Sequence, residues 1–124
     1  MSRNKVLVID DCVFMLQIAD DVITSAGFNA VMATNSIEAN SHIFTTPLPL
    51  MILIDIEMPM LNGDKTAKHL KSMEFSRNIP LLLMSSKEDE EMQKLCKSSG
   101  ADGYIIKPLT PEKFEKAVKQ YCSP

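Results

Sequence analysis

Four short, unbroken apolar runs constrain the fold of this chain more than any other feature: Lys5–Ile9 (KVLVI), Leu50–Ile54 (LMILI), Pro80–Met84 (PLLLM) and Tyr104–Ile106 (YII). None alternates apolar with polar residues, so each reads as a strand buried on both faces, as in a parallel sheet covered by helices. A weaker fifth run, Asn29–Ala33 (NAVMA), follows Gly27. The stretches between them carry helical period. In Cys12–Gly27, residues Cys12, Leu16, Ala19, Ile23 and Ala26 recur at spacings of four and three, and Gly27 suits a left-handed close. Ser36–Thr45 is a poorer helix ending before Pro47, and Asp64–Met73 follows an Asn62-Gly63 turn signal. Lys87–Ser98 begins with acids that suit the helix dipole and is closed by Gly100. Thr110-Pro111 starts a last helix whose face is Phe114, Ala117, Val118 and Tyr121. Strand and helix alternate five times, which predicts a single domain over 1–124 built as a three-layer α/β/α sandwich.

Composition removes several classes of function. With 124 residues the chain has room for one core. Thirteen basic against 16 acidic side chains give a net charge of −3, the wrong sign for a chain that binds nucleic acid by itself. No apolar run approaches the ~18 residues of a membrane span, and the opening MSRNKVLVID lacks a secretion signal, so a cytoplasmic location is expected. The three cysteines, Cys12, Cys96 and Cys122, show no metal-ligand spacing and read as reduced thiols, Cys12 as a small packing residue. His42 and His69 stand alone on predicted helices and read as surface residues.

The polar residues that end the strands are more informative. Asp10-Asp11 follows the first run, Asp55 the Leu50–Ile54 run, Ser85-Ser86 the Pro80–Met84 run, and Lys107-Pro108 the last. In an open parallel sheet these ends share one edge, where ligands bind. Three carboxylates and one ammonium leave a net −2, which a divalent cation neutralises. Oxygen donors without a Cys/His cluster select a hard ion, Mg²⁺ or Mn²⁺. A carboxylate, such an ion, a lysine and a hydroxyl together suit phosphoryl transfer.

These residues resemble the receiver domain of two-component response regulators, over Lys5 to Tyr121. The resemblance rests on Asp10-Asp11, on Asp55-Ile56-Glu57-Met58-Pro59 with Asn62-Gly63, on Ser85-Ser86, and on Gly100-Ala101-Asp102-Gly103-Tyr104-Ile105-Ile106-Lys107-Pro108. It implies a flavodoxin-like sheet of order 2-1-3-4-5 and a signalling switch rather than an enzyme. Asp55 would accept a phosphoryl group from the phosphohistidine of a histidine kinase or phosphotransfer protein, with Lys107, Ser85 and Ser86 around it. Asp11, Asp55 and the Glu57 carbonyl would ligate Mg²⁺, with Asp10 acting through water. Lys107-Pro108 would be cis. Ser85 and Tyr104 would form the switch that displays the phosphorylated state to a downstream protein.

Further expectations come with it. Glu57 and Lys87 flank the path of a hydrolytic water in this family, and an ion pair between them would slow dephosphorylation. Phe14, Met15, Ile18 and Val22 widen the apolar arc of the first helix to roughly 200°, which either neighbouring helices cover or a kinase docks against. SIEAN at Ser36–Asn40 and Leu50 depart from the family pattern without touching the site. The start at Met1 fits a lone or N-terminal receiver, the alternative being a piece cut from a transcription regulator or hybrid kinase. A haloacid-dehalogenase-like phosphatase would want an aspartate where Glu57 stands, and a flavodoxin-like carrier would need a hydroxyl-rich phosphate loop where Asp10-Asp11-Cys12 would repel FMN phosphate.

Overall fold

A computed structural model describes residues 4–43, 47–57 and 63–122. In chain order they form β1 (Lys5–Ile9), α1 (Val13–Ser25), β2 (Asn29–Ala33), α2 (Ser36–Ile43), β3 (Met51–Asp55), α3 (Gly63–Ser72), β4 (Leu81–Ser85), α4 (Asp89–Ser99), β5 (Gly103–Ile106) and α5 (Pro111–Cys122). All four pairings are parallel, in the order β2-β1-β3-β4-β5.

Every residue of β1, β3 and β4 is buried, as unbroken apolar runs require. Their side chains alternate between two cores. Leu7, Ile9, Ile52, Ile54, Leu81 and Leu83 face Ala39, Ile43, Ala67, Leu70 and Met92 of α2, α3 and α4. Val6, Val8, Met51, Leu53, Leu82 and Met84 face Leu16, Ala19, Ile23, Phe114 and Ala117 of α1 and α5. Phe114 is fully buried and meets Phe28 edge to face, with ring centroids 5.5 Å apart. Burying each large aliphatic side chain contributes about 1.5–3 kcal/mol, so two filled layers clamp the central strands. The two edge strands are less covered, which explains their weaker sequence signal.

Boundaries move by one or two residues from the sequence expectation. β3 and β4 run through Asp55 and Ser85, so these two candidate site residues are the last of the strands rather than the first of the loops. The poor helix at Ser36 forms because its start is capped. Asn35 Oδ1 accepts the Glu38 N–H at 2.9 Å, while the Glu38 carboxylate accepts the Thr34 N–H at 2.6 Å and its hydroxyl at 2.7 Å. The expected extension to Thr45 lies outside the described residues. Gly100 closes α4 at φ +81° and Gly27 follows α1 at φ +90°.

Gly63 owes its identity to the sheet edge. A Cβ there would stand 2.7 Å from the Asp55 carbonyl oxygen and 2.8 Å from the Ile56 Cα, so α3 starts hard against the end of β3. Neither neighbour can swing away, since both are backbone. Gly63→Ala is expected to lower stability by about 2 kcal/mol and to displace residue 55. A urea midpoint equal to that of the parent chain would contradict this packing.

Candidate functional site

Three rungs of the parallel ladder fix the site. The Asp10 N–H donates to the Ala33 carbonyl at 3.0 Å, the Ile56 N–H to Met84 at 3.1 Å and the Lys107 N–H to Ser85 at 2.9 Å. The carboxyl ends of β1, β3 and β5 are thereby held in register. Asp10 and Asp55 are 3% and 2% exposed, although both are acids. The Lys107 ammonium reaches across from β5 and pairs with Asp55 Oδ2, while Asp55 Oδ1 accepts the Glu57 N–H at 2.7 Å. The Lys107-Pro108 peptide bond is cis. Asp11 is half-buried on the connection into α1.

Burial of these charges has a cost that the pairing only partly offsets. The Asp10 carboxyl is pushed up to about 7, first by burial and then by its hydrogen bond to Asp55 and that group's charge, against the Cys12 N–H and Lys107. Burial pulls the Lys107 ammonium down, but Asp55 and then Glu57 and Asp10 more than restore it, so it stays charged with a raised pKa. The site therefore has a surplus of negative charge.

That surplus and the donor set fit a small hard cation. The groups present are carboxylates and backbone carbonyls, and Cys12, the nearest thiol in sequence, is exposed. No three Asp, Glu, His or Cys side chains converge at ligating distance among the described residues. Mg²⁺ does not need three, since it commonly takes one or two carboxylates and keeps its waters.

The rim differs from expectation in one respect. Glu57 makes no ion pair with Lys87. Its carboxylate accepts the Ser86 N–H at 2.8 Å and the Ser86 hydroxyl at 2.9 Å, and lies 3.5 Å from the Lys107 ammonium. Burial opposes its ionisation, but the Ser86 bonds and Lys107 win and hold the carboxyl below its usual value. Lys87 turns instead to Glu91, one helical turn on, at 2.9 Å. The expected reason for slow dephosphorylation is thus absent. Ser85 is fully buried, its hydroxyl accepting the Lys87 N–H at 3.1 Å. Tyr104 is half-buried, and its hydroxyl donates to Asp89 on α4 at 2.9 Å.

On α1 the expected apolar flank divides. Phe14 is 72% exposed, and Met15 and Ile18 are half-buried, lining a cavity of about 60 Å³ with Asp10, Met84, Lys107 and Pro108. Val22 belongs to the core beneath α5 and offers no docking surface. Cys12 is likewise misplaced by the helical period. It is the N-cap residue, outside the regular turn, and is exposed rather than packed. His69 is exposed as expected, whereas His42 is half-buried. Met58, Pro59 and Asn62 lie outside the described residues.

Comparison with known proteins agrees with this geometry. The family model of the response regulator receiver domain matches residues 6–119, and the chain belongs to that family. It is the receiver domain of a response regulator of two-component signalling. The phosphate regulon transcriptional regulatory protein PhoB of Escherichia coli is 32% identical over 127 residues, covering all of this chain and 55% of PhoB. The polar-differentiation response regulator DivK of Brucella anthropi is 28% identical over 95% of both chains. The chain spans about half the length of several curated relatives it matches, including PhoB and the probable transcriptional regulator ycf27 of Porphyridium aerugineum. The fold is shared with the chemotaxis protein CheY4 of Vibrio cholerae, at 24% identity over 97% of this chain and 99% of that one, with a TM-score of 0.85. It is also shared with the receiver domain of the sensor histidine kinase PA1611 of Pseudomonas aeruginosa. That structure holds a magnesium ion in its active-site cleft (17% identity, 98% of both chains, TM-score 0.82).

Sequence reasoning missed two contributors. The Ser86 N–H carries its part through the backbone, which no residue identity announces. Lys71 ties the loop before β4 to the start of β5, donating to the Arg77 carbonyl at 2.6 Å and to Asp102 at 2.9 Å. A lone lysine on a helix gives no such signal.

The raised Asp10 pKa makes a pH prediction. A carboxyl near 7 in the folded state and near 4 when unfolded contributes stability below pH 4 that is lost as pH rises towards 7. Asp10→Asn is therefore expected to raise stability at pH 8 by roughly 2 kcal/mol and by clearly less at pH 5. Denaturant unfolding at the two pH values checks it, and an equal gain at both would contradict it.

Proposed function

We propose that Asp55 accepts a phosphoryl group from the phosphohistidine of a histidine kinase or histidine phosphotransfer protein. The observation that carries this reading is a buried carboxylate at the end of β3, one oxygen on an ammonium and the other on a backbone N–H. An oxygen of Asp55 forms the new bond to phosphorus as the phosphorus–nitrogen bond of the donor breaks, and the imidazole nitrogen keeps that electron pair. Lys107 offsets charge on the transferred oxygens, and Ser86 offers them its N–H. Asp11, Asp55 and the Glu57 carbonyl would hold Mg²⁺ (or Mn²⁺), with Asp10 reaching it through water; the ion supplies charge neutralisation along the transfer path. The PA1611 receiver domain supports that choice of metal, as does the acid surplus here.

The switch follows from the partners that Ser85 and Tyr104 now have. The bound phosphoryl group draws the Ser85 hydroxyl away from the Lys87 N–H, and the connection into α4 follows it. Tyr104 then leaves Asp89 for the space under that loop. The charge-assisted bond that the Ser85 hydroxyl gains to the phosphoryl group, about 2 kcal/mol, biases a two-state surface by roughly 30-fold, less what the lost Tyr104–Asp89 bond subtracts. The product is a changed face around α4 and β5, read by a downstream protein or an attached output domain. On this reading 1–124 acts as one receiver unit, a signalling protein that turns over only its own phosphoryl group. A cytoplasmic place follows, since phosphohistidine donors draw on ATP.

Incubation with acetyl phosphate and Mg²⁺ tests the chemistry. Intact mass should rise by one phosphoryl group, and the gain should vanish in Asp55→Asn and in EDTA. A gain that survives Asp55→Asn would contradict the assignment. Exposed Phe14, with half-buried Met15 and Ile18 beside the site, suits docking of the donor protein. Ile18→Glu should slow transfer from a phosphorylated kinase at least tenfold while leaving acetyl phosphate reactivity intact. Equal loss of both would reject the docking role.

A further inference from the structure

Three donors on the rim of the site converge on one anion, and that anion is a side chain of the protein itself. The Ser86 N–H points at Glu57 Oε1 at 2.8 Å, the Ser86 hydroxyl at Oε2 at 2.9 Å, and the Lys107 ammonium lies 3.5 Å from Oε1. Lys107 also pairs with Asp55, and the Glu57 N–H bonds to the other Asp55 oxygen. The carboxylate of Glu57 therefore sits within reach of the same donors that a phosphoryl group on Asp55 requires. A backbone N–H, a hydroxyl and an ammonium around two oxygens form an anion seat, and a carboxylate and a phosphoryl group can both fill it.

We propose that Glu57 is a built-in stand-in for the phosphoryl group, occupying its seat in the resting protein and opposing its arrival. The inference rests on the reading of Asp55 as phosphoacceptor and concerns the access of donors to it. Glu57 is suited to leave. Its side chain is one-third exposed, and its bonds are to a loop rather than to the core. Its backbone N–H stays on Asp55 whatever the side chain does, so the swing need not disturb the strand end. Both occupants are anions, and their mutual repulsion excludes joint occupancy. A donor that brings its own contacts, as a docked protein does, can drive the carboxylate out. A small donor has no such help. Glu57 thereby favours phosphoryl transfer from a docked partner over stray small acyl phosphates.

The test compares the parent chain with Glu57→Ala and Glu57→Gln. The first readout is the rate of phosphoryl gain from acetyl phosphate with Mg²⁺, in which an Asp55 oxygen bonds to phosphorus and acetate leaves with the electron pair. The second is the Ser86 amide resonance during titration with inorganic phosphate and Mg²⁺. Glu57→Ala should accept the phosphoryl group about fivefold faster, the factor expected from a partly exposed, screened anion cluster. Its Ser86 amide should respond to inorganic phosphate at about fivefold lower concentration. Glu57→Gln, which keeps the shape and loses the charge, should fall between. Rates that are equal or slower in Glu57→Ala would overturn the proposal, as would an Ser86 amide equally sensitive to phosphate in all three chains. A Glu57→Gln chain identical to the parent would overturn it too, since bulk and not charge would then hold the seat. If the parent chain gains no phosphoryl group while the amide titrations still differ, the occupancy stands and the phosphoacceptor reading fails.

Discussion

The pairing of Asp55 with Lys107 at the carboxyl edge of the sheet is the interaction on which the rest of this molecule depends. Two acids, Asp10 and Asp55, are almost fully buried side by side, and an isolated buried carboxylate is too costly to keep. Lys107 is the cation that reaches them, carried just past the end of β5, three places from β1 and two from β3, and held by its own rung to Ser85. A parallel sheet whose central strands are clamped between two apolar layers can hold such a charged edge without collapsing around it. The ends stay where the ladder places them.

The compensation is incomplete, and function lives in the remainder. Asp10 responds by binding its proton more tightly, so the edge gains from any cation it can hold. On the outer rim the same Lys107 and the Ser86 donors hold the Glu57 carboxylate, so an anion already sits beside Asp55. From there the contacts lead outward through the backbone of Lys87, whose side chain joins Glu91, and through Tyr104 to Asp89. Both of these acids lie in the first turns of α4. A change of charge at Asp55 thus has a short, polar route to one helix rather than to the whole core.

Much of this was legible in the sequence for a simple reason. Burial on both faces forces unbroken apolar runs, so β1, β3 and β4 announced themselves, and the polar residue that ends each run marked the functional edge. Where periodicity misled, tertiary contacts had taken over. Val22 counts as flank on a helical wheel yet is covered by the α5 core, and Cys12 lies one residue outside the helix whose period it seemed to share. The capped start of α2 was readable in Asn35 and Glu38 but was hidden by a weak apolar face. Glu57 was placed beside the site by resemblance, while its partner was not, because a loop can offer Ser86 or Lys87 to the same carboxylate and only the fold decides between them.

The central claim, that Asp55 carries the phosphoryl group, is tested most directly by locating the modified residue chemically. Borohydride reduces an aspartyl phosphate to homoserine and leaves free carboxylates alone, so trapping after phosphorylation followed by peptide sequencing reads the position itself. The account predicts homoserine at position 55 and unchanged aspartate at positions 10 and 11. Homoserine at either of those positions, or phosphate recovered on His42 or His69 with position 55 intact, would contradict it.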